Sequence, residues 1–252
     1  MSEKLNIAIL IAGEPRFGPE VNRTINHLQG YSCITWFFFL WDIPKTSNVQ
    51  HNGLVAPYWQ NVTYERALAK IRTNIGPKRS NKIGAIKIEK PESYALNFPI
   101  KNRAHCCLNE ANVWSMWQSW YHGFELLKAY GQDFDLVLRL RGDCALITSL
   151  DLIQLKSVID ASPNKLFVPN NEWFGFTRRI NDWMAISSMR NIGIYCRVKE
   201  TVPILQNEGV VYHPENTLAE HLFRNGVEYY DKKYEAELKH RKSWTIDYGK
   251  WA

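Results

Sequence analysis

Apolar positions along this chain fall into short β-branched runs separated by stripes at helical spacing. The run IAILIA, residues 7–12, is apolar at every position, which is the pattern of a strand covered on both faces, and it stops at Gly13. Pro19 suits a first helical turn, and Val21, Ile25 and Leu28 follow at helical spacing. CITWFFFLWD, residues 33–42, reads as a second buried strand. Thr63 is placed to cap a helix carrying Leu68, Ile71 and Ile75, which Gly76 and Pro77 end, and AIKI at 85–88 is a short third strand. The order β-α-β-α-β predicts a parallel sheet with helices on its faces.

Asn109 opens the clearest helix, with Val113, Trp117, Trp120, Phe124 and Leu127 as its apolar stripe and Gly131 as its stop. FDLVLRLR, from Phe134, is the next strand. Beyond it the pattern changes. KLFVP and NDWMAIS read as strands, residues 189–199 and PENTLAEHLFRNG as helices, the latter begun by Pro214, and VEYY as a last strand that closes the sheet. The second half is therefore α+β in character, joined to a Rossmann-like first half. With no internal repeat, low-complexity tract or Gly/Ser linker, residues 1–252 read as one continuous domain.

Composition narrows the class. An apolar fraction of 45% with 22% charged residues belongs to a protein with a core and excludes disordered and fibrous chains. Cysteines at 33, 106, 107, 144 and 196 are odd in number and lack metal-ligand spacing, which points to a reduced, cytoplasmic setting. CITWFFFLW is about half the length a membrane span needs, and the N-terminus lacks a signal-peptide cleavage pattern, so a soluble chain is expected. The sequons at Asn22 and Asn61 are then accidents of composition. A net charge of +6 favours anionic ligands or an acidic surface, concentrated in residues 78–103 and in KKYEAELKHRK, although such runs are also ordinary solvated faces.

Ligands of open parallel sheets bind beyond the carboxyl ends of the strands, which directs attention to the residues just after each run. The first strand delivers Gly13, Glu14, Pro15 and Arg16; the second delivers Trp41 and Asp42; the fourth delivers Arg141, Gly142 and Asp143. Gly13 lets a ligand approach the backbone and Arg16 suits a phosphate, while a Gly-Pro turn with a surface Arg is equally common. Asp42 suits a base or ribose, and is equally a turn former before Ile-Pro. No GxGxxG or Walker pattern is present, which removes support for classical NAD binding and P-loop chemistry.

In RLRGD, alternation puts Arg139, Arg141 and Asp143 on one face and Leu136, Leu138 and Leu140 on the other. Two guanidiniums and a carboxylate at a strand end suit phosphates and a hard divalent cation; the rival is a structural ion pair, which is costly to bury unless further anions join. On the preceding helix, Asn112, Ser115, Gln118 and Ser119 flank the aromatic stripe and suit a sugar or base, or form an ordinary polar flank. Asn181 and Asp182 begin a late strand, where Asp182 suits a general base or a turn exit. His213 and His221 are weak metal candidates, and Glu220 and His221 line the same crevice or pack under it.

Taken in order, IAILIAGEPR, FFFLWD, WSMWQSWYHGFELLKAY, FDLVLRLRGD, NDWMAIS and PENTLAEHL resemble the nucleotide-sugar glycosyltransferases of GT-A fold, in particular small viral and bacterial members. These carry a Gly-x-Pro-Arg turn, a second strand ending in Trp-Asp, a strand of the form YDxVIRxRxD and a late NDxFAI segment. The resemblance spans about residues 5 to 230. It implies a nucleotide-binding half at about 1–145 and an acceptor-side half at about 146–252. It also implies a nucleotide-sugar donor and a glycan or glycoconjugate acceptor. Most GT-A enzymes hold Mn²⁺ or Mg²⁺ on an Asp-x-Asp motif; here the first position is Arg141, which leaves Asp143 as the implied ligand and puts metal dependence in doubt. By the same resemblance Gly13, Arg16, Asp42, Gln118, Arg139 and Arg141 bind the donor, Arg141 stabilises the leaving diphosphate, and Asp182 is the base or acceptor anchor.

Two other readings stay open. A nucleotidyltransferase would use the same crevice for a triphosphate, and a non-catalytic module would offer its basic segments to an acidic partner or RNA; against the latter, no RNP-like aromatic strand or helix-turn-helix signal is present, and no nucleic-acid partner is expected. Contact of the basic C-terminal segment with a membrane surface is a further open point.

Overall fold

The structure is a computed structural model that describes residues 4–14, 19–42, 64–75, 81–90, 96–103, 110–142, 144–146, 149–168, 180–229 and 246–248. The elements in chain order are β1 (Leu5–Gly13), α1 (Pro19–His27), β2 (Leu28–Gln29), β3 (Tyr31–Trp41), α2 (Tyr64–Ile75), β4 (Asn81–Glu89) and α3 (Glu110–Ala129). There follow β5 (Leu136–Leu140), β6 (Cys144–Leu146), β7 (Leu150–Asp151), α4 (Leu152–Ala161), β8 (Lys165–Leu166), β9 (Met184–Ser187) and α5 (Met189–Cys196). A 3₁₀ turn at Val198–Glu200, α6 (Val202–Asn207), α7 (Pro214–Arg224), β10 (Glu228–Tyr229) and β11 (Ile246–Tyr248) complete the described chain.

A five-stranded sheet of order β4-β3-β1-β5-β9 forms the centre, parallel except for the antiparallel β5–β9 pair. This is the expected α/β architecture, a mostly parallel sheet between helices. The period-two alternation divides two aromatic-rich cores. Ala8, Leu10, Ala12, Phe37, Phe39 and Val137 join the stripe of α3 on one face. Ile7, Ile9, Ile11, Trp36, Phe38, Leu136, Leu138 and Leu140 join α1, α2 and α4 on the other. Gly123 lets α3 lie close on the sheet: a β-carbon there would stand 3.0 Å from Leu10 Cδ1 and 3.2 Å from Ala12 Cβ.

Several elements differ from the pattern-based expectation: β2, β6, β7, β11 and α6 are not among those read from the sequence. The VEYY strand does not close the central sheet; β10 pairs in parallel with β8 in a separate two-stranded sheet. Two-residue strands carry too little pattern to choose a partner. Helix α4 is not among the expected elements, and its start has a clear cause: the Asp151 side chain accepts hydrogen bonds from the amides of Ile153 and Gln154. The cap expected at Thr63 and the stops expected at Gly76 and Pro77 lie outside the described residues.

The connections set where a ligand can bind. The chain leaves β1 towards β3 and β4 on one side, then returns to place β5 on the other, so the strand order reverses beside β1. That switch point is where such sheets open a crevice. Because β9 runs antiparallel, with Met184 opposite Leu140, it is the residues before β9 that reach the same edge.

Candidate active site

At that edge β1 ends in Gly13, whose φ of 114° lies in the left-handed region. Ser119 of α3 stands against it, its hydroxyl donating to the Met116 carbonyl at 2.6 Å. Gly13 is in register with Leu40, so Trp41 and Asp42 continue β3 just beyond it. The Asp42 amide donates to the Glu89 carbonyl at 2.8 Å, fixing the β3 end to β4. On the other side of β1, Arg141 follows β5, its amide donating to the Trp183 carbonyl at 2.8 Å and its carbonyl accepting from the Cys144 amide at 3.1 Å. That second bond closes a turn through buried Gly142.

The corner before β9 is built locally. Asn181 Oδ1 accepts from the Trp183 amide at 2.8 Å, an Asx turn around Asp182, whose neighbour Trp183 bonds the Arg141 amide. Asp182 is only 7% exposed. The first turn of α7 backs this corner, since the Ile180 amide donates to the Glu215 carbonyl at 3.4 Å. Glu215 is buried in that first turn, where the helix dipole favours a carboxylate, and its Oε2 lies 3.6 Å from His213 Nδ1. Sequence reasoning missed Glu215; an acidic residue directly after a helix-starting Pro was the available signal.

Thus Gly13, Asp42, Arg141 and Asp182 meet at one edge. Asn112, exposed, and Ser115, half-buried, lie nearer the start of α3 than Ser119. Arg16 and Asp143 lie outside the described residues. Among the described residues no group of three or more His, Cys, Asp or Glu side chains is placed to hold a metal ion.

Three candidates sit elsewhere. Gln118 is buried and its carboxamide oxygen accepts from Lys199 Nζ at 2.7 Å, while Lys199 stacks 3.7 Å over the Tyr121 ring. Burial lowers the Lys199 pKa, with Glu200 opposing. His221 packs between helices: Nε2 contacts the Ile194 carbonyl at 2.7 Å and Nδ1 the Thr201 hydroxyl at 2.8 Å. Glu220 pairs with Arg224 at 2.7 Å.

Arg139 is the largest departure. It lies between Leu10 and Ala185 in the sheet register, on the face covered by α3 and α5, and is 1% exposed. Its position on the charged side of the alternation is as expected, but that side is roofed by helices one residue short of the strand end. Its guanidinium lies 4.1 Å from the centre of the Trp120 ring and 5.9 Å from that of Tyr195, and Nη1 donates to the Asp182 carbonyl. Among the described residues, Nε has no hydrogen-bond acceptor. Burying an ion costs several kcal/mol, while a dehydrated cation–π contact returns about 2 kcal/mol and a charged hydrogen bond about 1.5–3 kcal/mol. These terms roughly balance, so Arg139 adds little net stability for its cost. Its neighbours feel the burial too: Tyr195 is raised well above the ordinary phenol range, and the Cys196 thiol is pushed up to about 12, both chiefly by desolvation, with Arg139 opposing.

No family model matches the sequence, and no curated protein sequence matches it. Among solved structures the chain is similar to a crystal structure of an active-site mutant of LgtC, at 14% identity and a TM-score of 0.46, covering 95% of this chain and 79% of that one. A likeness of that size says nothing of activity.

Proposed function

We propose that this chain is a glycosyltransferase that moves a sugar from a nucleoside-diphosphate sugar to an acceptor hydroxyl. The observation that carries the reading is the pairing of Arg141 with the Asp182 corner, through the 2.8 Å bond from the Arg141 amide to Trp183, at the same sheet edge as Gly13 and Asp42. Arg141 and Asp182 come from neighbouring backbone positions at the switch point, and in this reading their cation and carboxylate supply the two charges that sugar transfer needs.

In this reading the nucleoside rests against Asp42, and the diphosphate crosses Gly13 within reach of Arg141, with Arg16, three positions after Gly13 in sequence, as a further expected phosphate ligand. Asp182 takes the proton of the acceptor hydroxyl as its oxygen bonds to the anomeric carbon. The bond from that carbon to the diphosphate breaks, and the diphosphate leaves with the electron pair, stabilised by Arg141. Direct displacement of this kind inverts the anomeric centre. Asp143, the expected ligand of Mn²⁺ or Mg²⁺, follows Gly142 in sequence, and no step of the transfer depends on it.

A thermal-shift screen of UDP-, GDP- and TDP-sugars, with and without Mn²⁺, tests the donor. A ligand at 100 times its Kd stabilises by about 2.7 kcal/mol, so a cognate donor raises the melting temperature measurably. Incubation with an acceptor library should then release a nucleoside diphosphate. Release of pyrophosphate from a nucleoside triphosphate, with no sugar-nucleotide binding, would replace this reading with nucleotidyl transfer.

A further inference from the structure

We infer that Arg139 is a positioning residue: a buried cation, stacked on Trp120, that pins the backbone of Asp182 and so fixes where its carboxylate stands. The inference rests on the reading of Asp182 as the base.

Among the described residues, four hydrogen bonds reach the corner before β9. Three run along the chain or between neighbouring backbones: the Asn181 turn onto the Trp183 amide, the Arg141 amide onto the Trp183 carbonyl, and the Ile180 amide onto the Glu215 carbonyl. The fourth comes from beneath, from Arg139 Nη1 to the Asp182 carbonyl. It holds the carbonyl of the Asp182–Trp183 peptide, whose N–H donates to the Asn181 side chain, and it comes from the strand that leads into Arg141.

The residue type fits this task. A planar guanidinium can lie flat against an indole and still donate in its own plane, whereas an ammonium is a point charge on a flexible stem. Trp120 orients the plane, and the plane orients the bond. A phosphate ligand, by contrast, needs a head group at the surface, and Arg139 is 1% exposed.

The test pairs Arg139→Met, which removes the charge and the donors, with Arg139→Lys, which keeps the charge. Amide hydrogen exchange by mass spectrometry on the full chain reads the corner directly, with α4 as the internal reference. In Arg139→Met, exchange over residues 180–187 should rise about ten-fold or more while α4 changes little. With the best donor from the sugar-nucleotide screen, kcat should fall by about 10²-fold while the donor KM stays within about two-fold.

Unchanged exchange over 180–187, or an equal rise in α4, overturns the inference. So does a rise in donor KM at constant kcat, which would make Arg139 a donor ligand. If Arg139→Met does not fold, Arg139→Lys carries the exchange test with an intermediate rise expected. If the wild-type chain binds no sugar nucleotide, the glycosyltransferase reading falls, and the exchange experiment still decides whether Arg139 holds the corner.

Discussion

Gly13 and Ser119 face each other across the junction of β1 and α3, such that a β-carbon on Gly13 would lie 3.4 Å from the Ser119 hydroxyl oxygen. That is ordinary contact distance, so the helix has room for a methyl group. The backbone does not, because its φ of 114° is one that residues with a β-carbon rarely adopt. Gly13→Ala should therefore cost about 1–2 kcal/mol, mostly as backbone strain. Thermal unfolding reads it as a loss of roughly 2–4 °C per kcal/mol, and the donor-induced shift should shrink as well.

Asp182→Asn should reduce transfer by about 10²–10⁴-fold, the usual contribution of a general base. Donor binding should survive, since the amide keeps the shape of the corner. The thermal shift with donor and the transfer rate, measured on the same preparation, separate the two. Unchanged turnover would remove Asp182 from the base role.

Arg141→Ala should lower kcat by about 10²–10³-fold if its charge stabilises the leaving diphosphate. Arg141→Lys should recover part of this, because the charge returns without the planar fork. Equal rates for all three forms would place the stabilising charge elsewhere.

Gly123→Val should destabilise the chain by about 1–3 kcal/mol through overpacking. The valine would press on Leu10, Ala12 and Phe39, which already stand 3.0–3.3 Å from a β-carbon at this position. Chemical denaturation checks this, with a lower midpoint at unchanged slope expected.

His221 predicts a pH dependence of stability. Burial is the larger influence and lowers its pKa, with the hydrogen bond to Ile194 opposing. The unfolded chain therefore binds the proton more readily than the folded one. Above about pH 6.5, the ordinary imidazole value, the group is neutral in both states and contributes no slope. As pH falls from there towards the lowered folded value, stability is lost. His122, also lowered chiefly by burial and by Lys199, acts in the same sense. Melting temperatures from pH 8 to pH 5 should decline on the acid side, and less steeply in His221→Asn.

The chain's repeats of two and of three to four were legible because burial enforces them. Phe37 and Phe39 on one core and Trp36 and Phe38 on the other follow directly from strand alternation. The α3 stripe and its stop near Gly131 were equally plain. Pairings between short distant segments were not: β10 against β8 and β11 against β6 involve two or three residues each, whose partners are chosen by packing. The strand-end residues Gly13, Asp42 and Arg141 were readable from topology alone, and Asp182 joined them because β9 runs antiparallel. Arg139 shows the limit. Alternation gives its face, but whether that face is open or roofed depends on Trp120 and Tyr195, which are brought there from other helices. Glu215 escaped for a similar reason, as its importance lies in a backbone contact to Ile180.

The position of β1 between β3 and β5 also bears on how the molecule comes into being. Ile7 pairs with Leu136, and Leu138 with Ile186, so the middle of the sheet joins segments from the beginning, middle and later part of the chain. Pairings across such spans are slow to form, because the loop entropy is lost before the contacts repay it. A nascent chain released from the ribosome only as far as α3 would have neither the second neighbour of β1 nor the Arg141 edge. The Arg141 edge and the second neighbour of β1 thus both wait on the chain beyond α3.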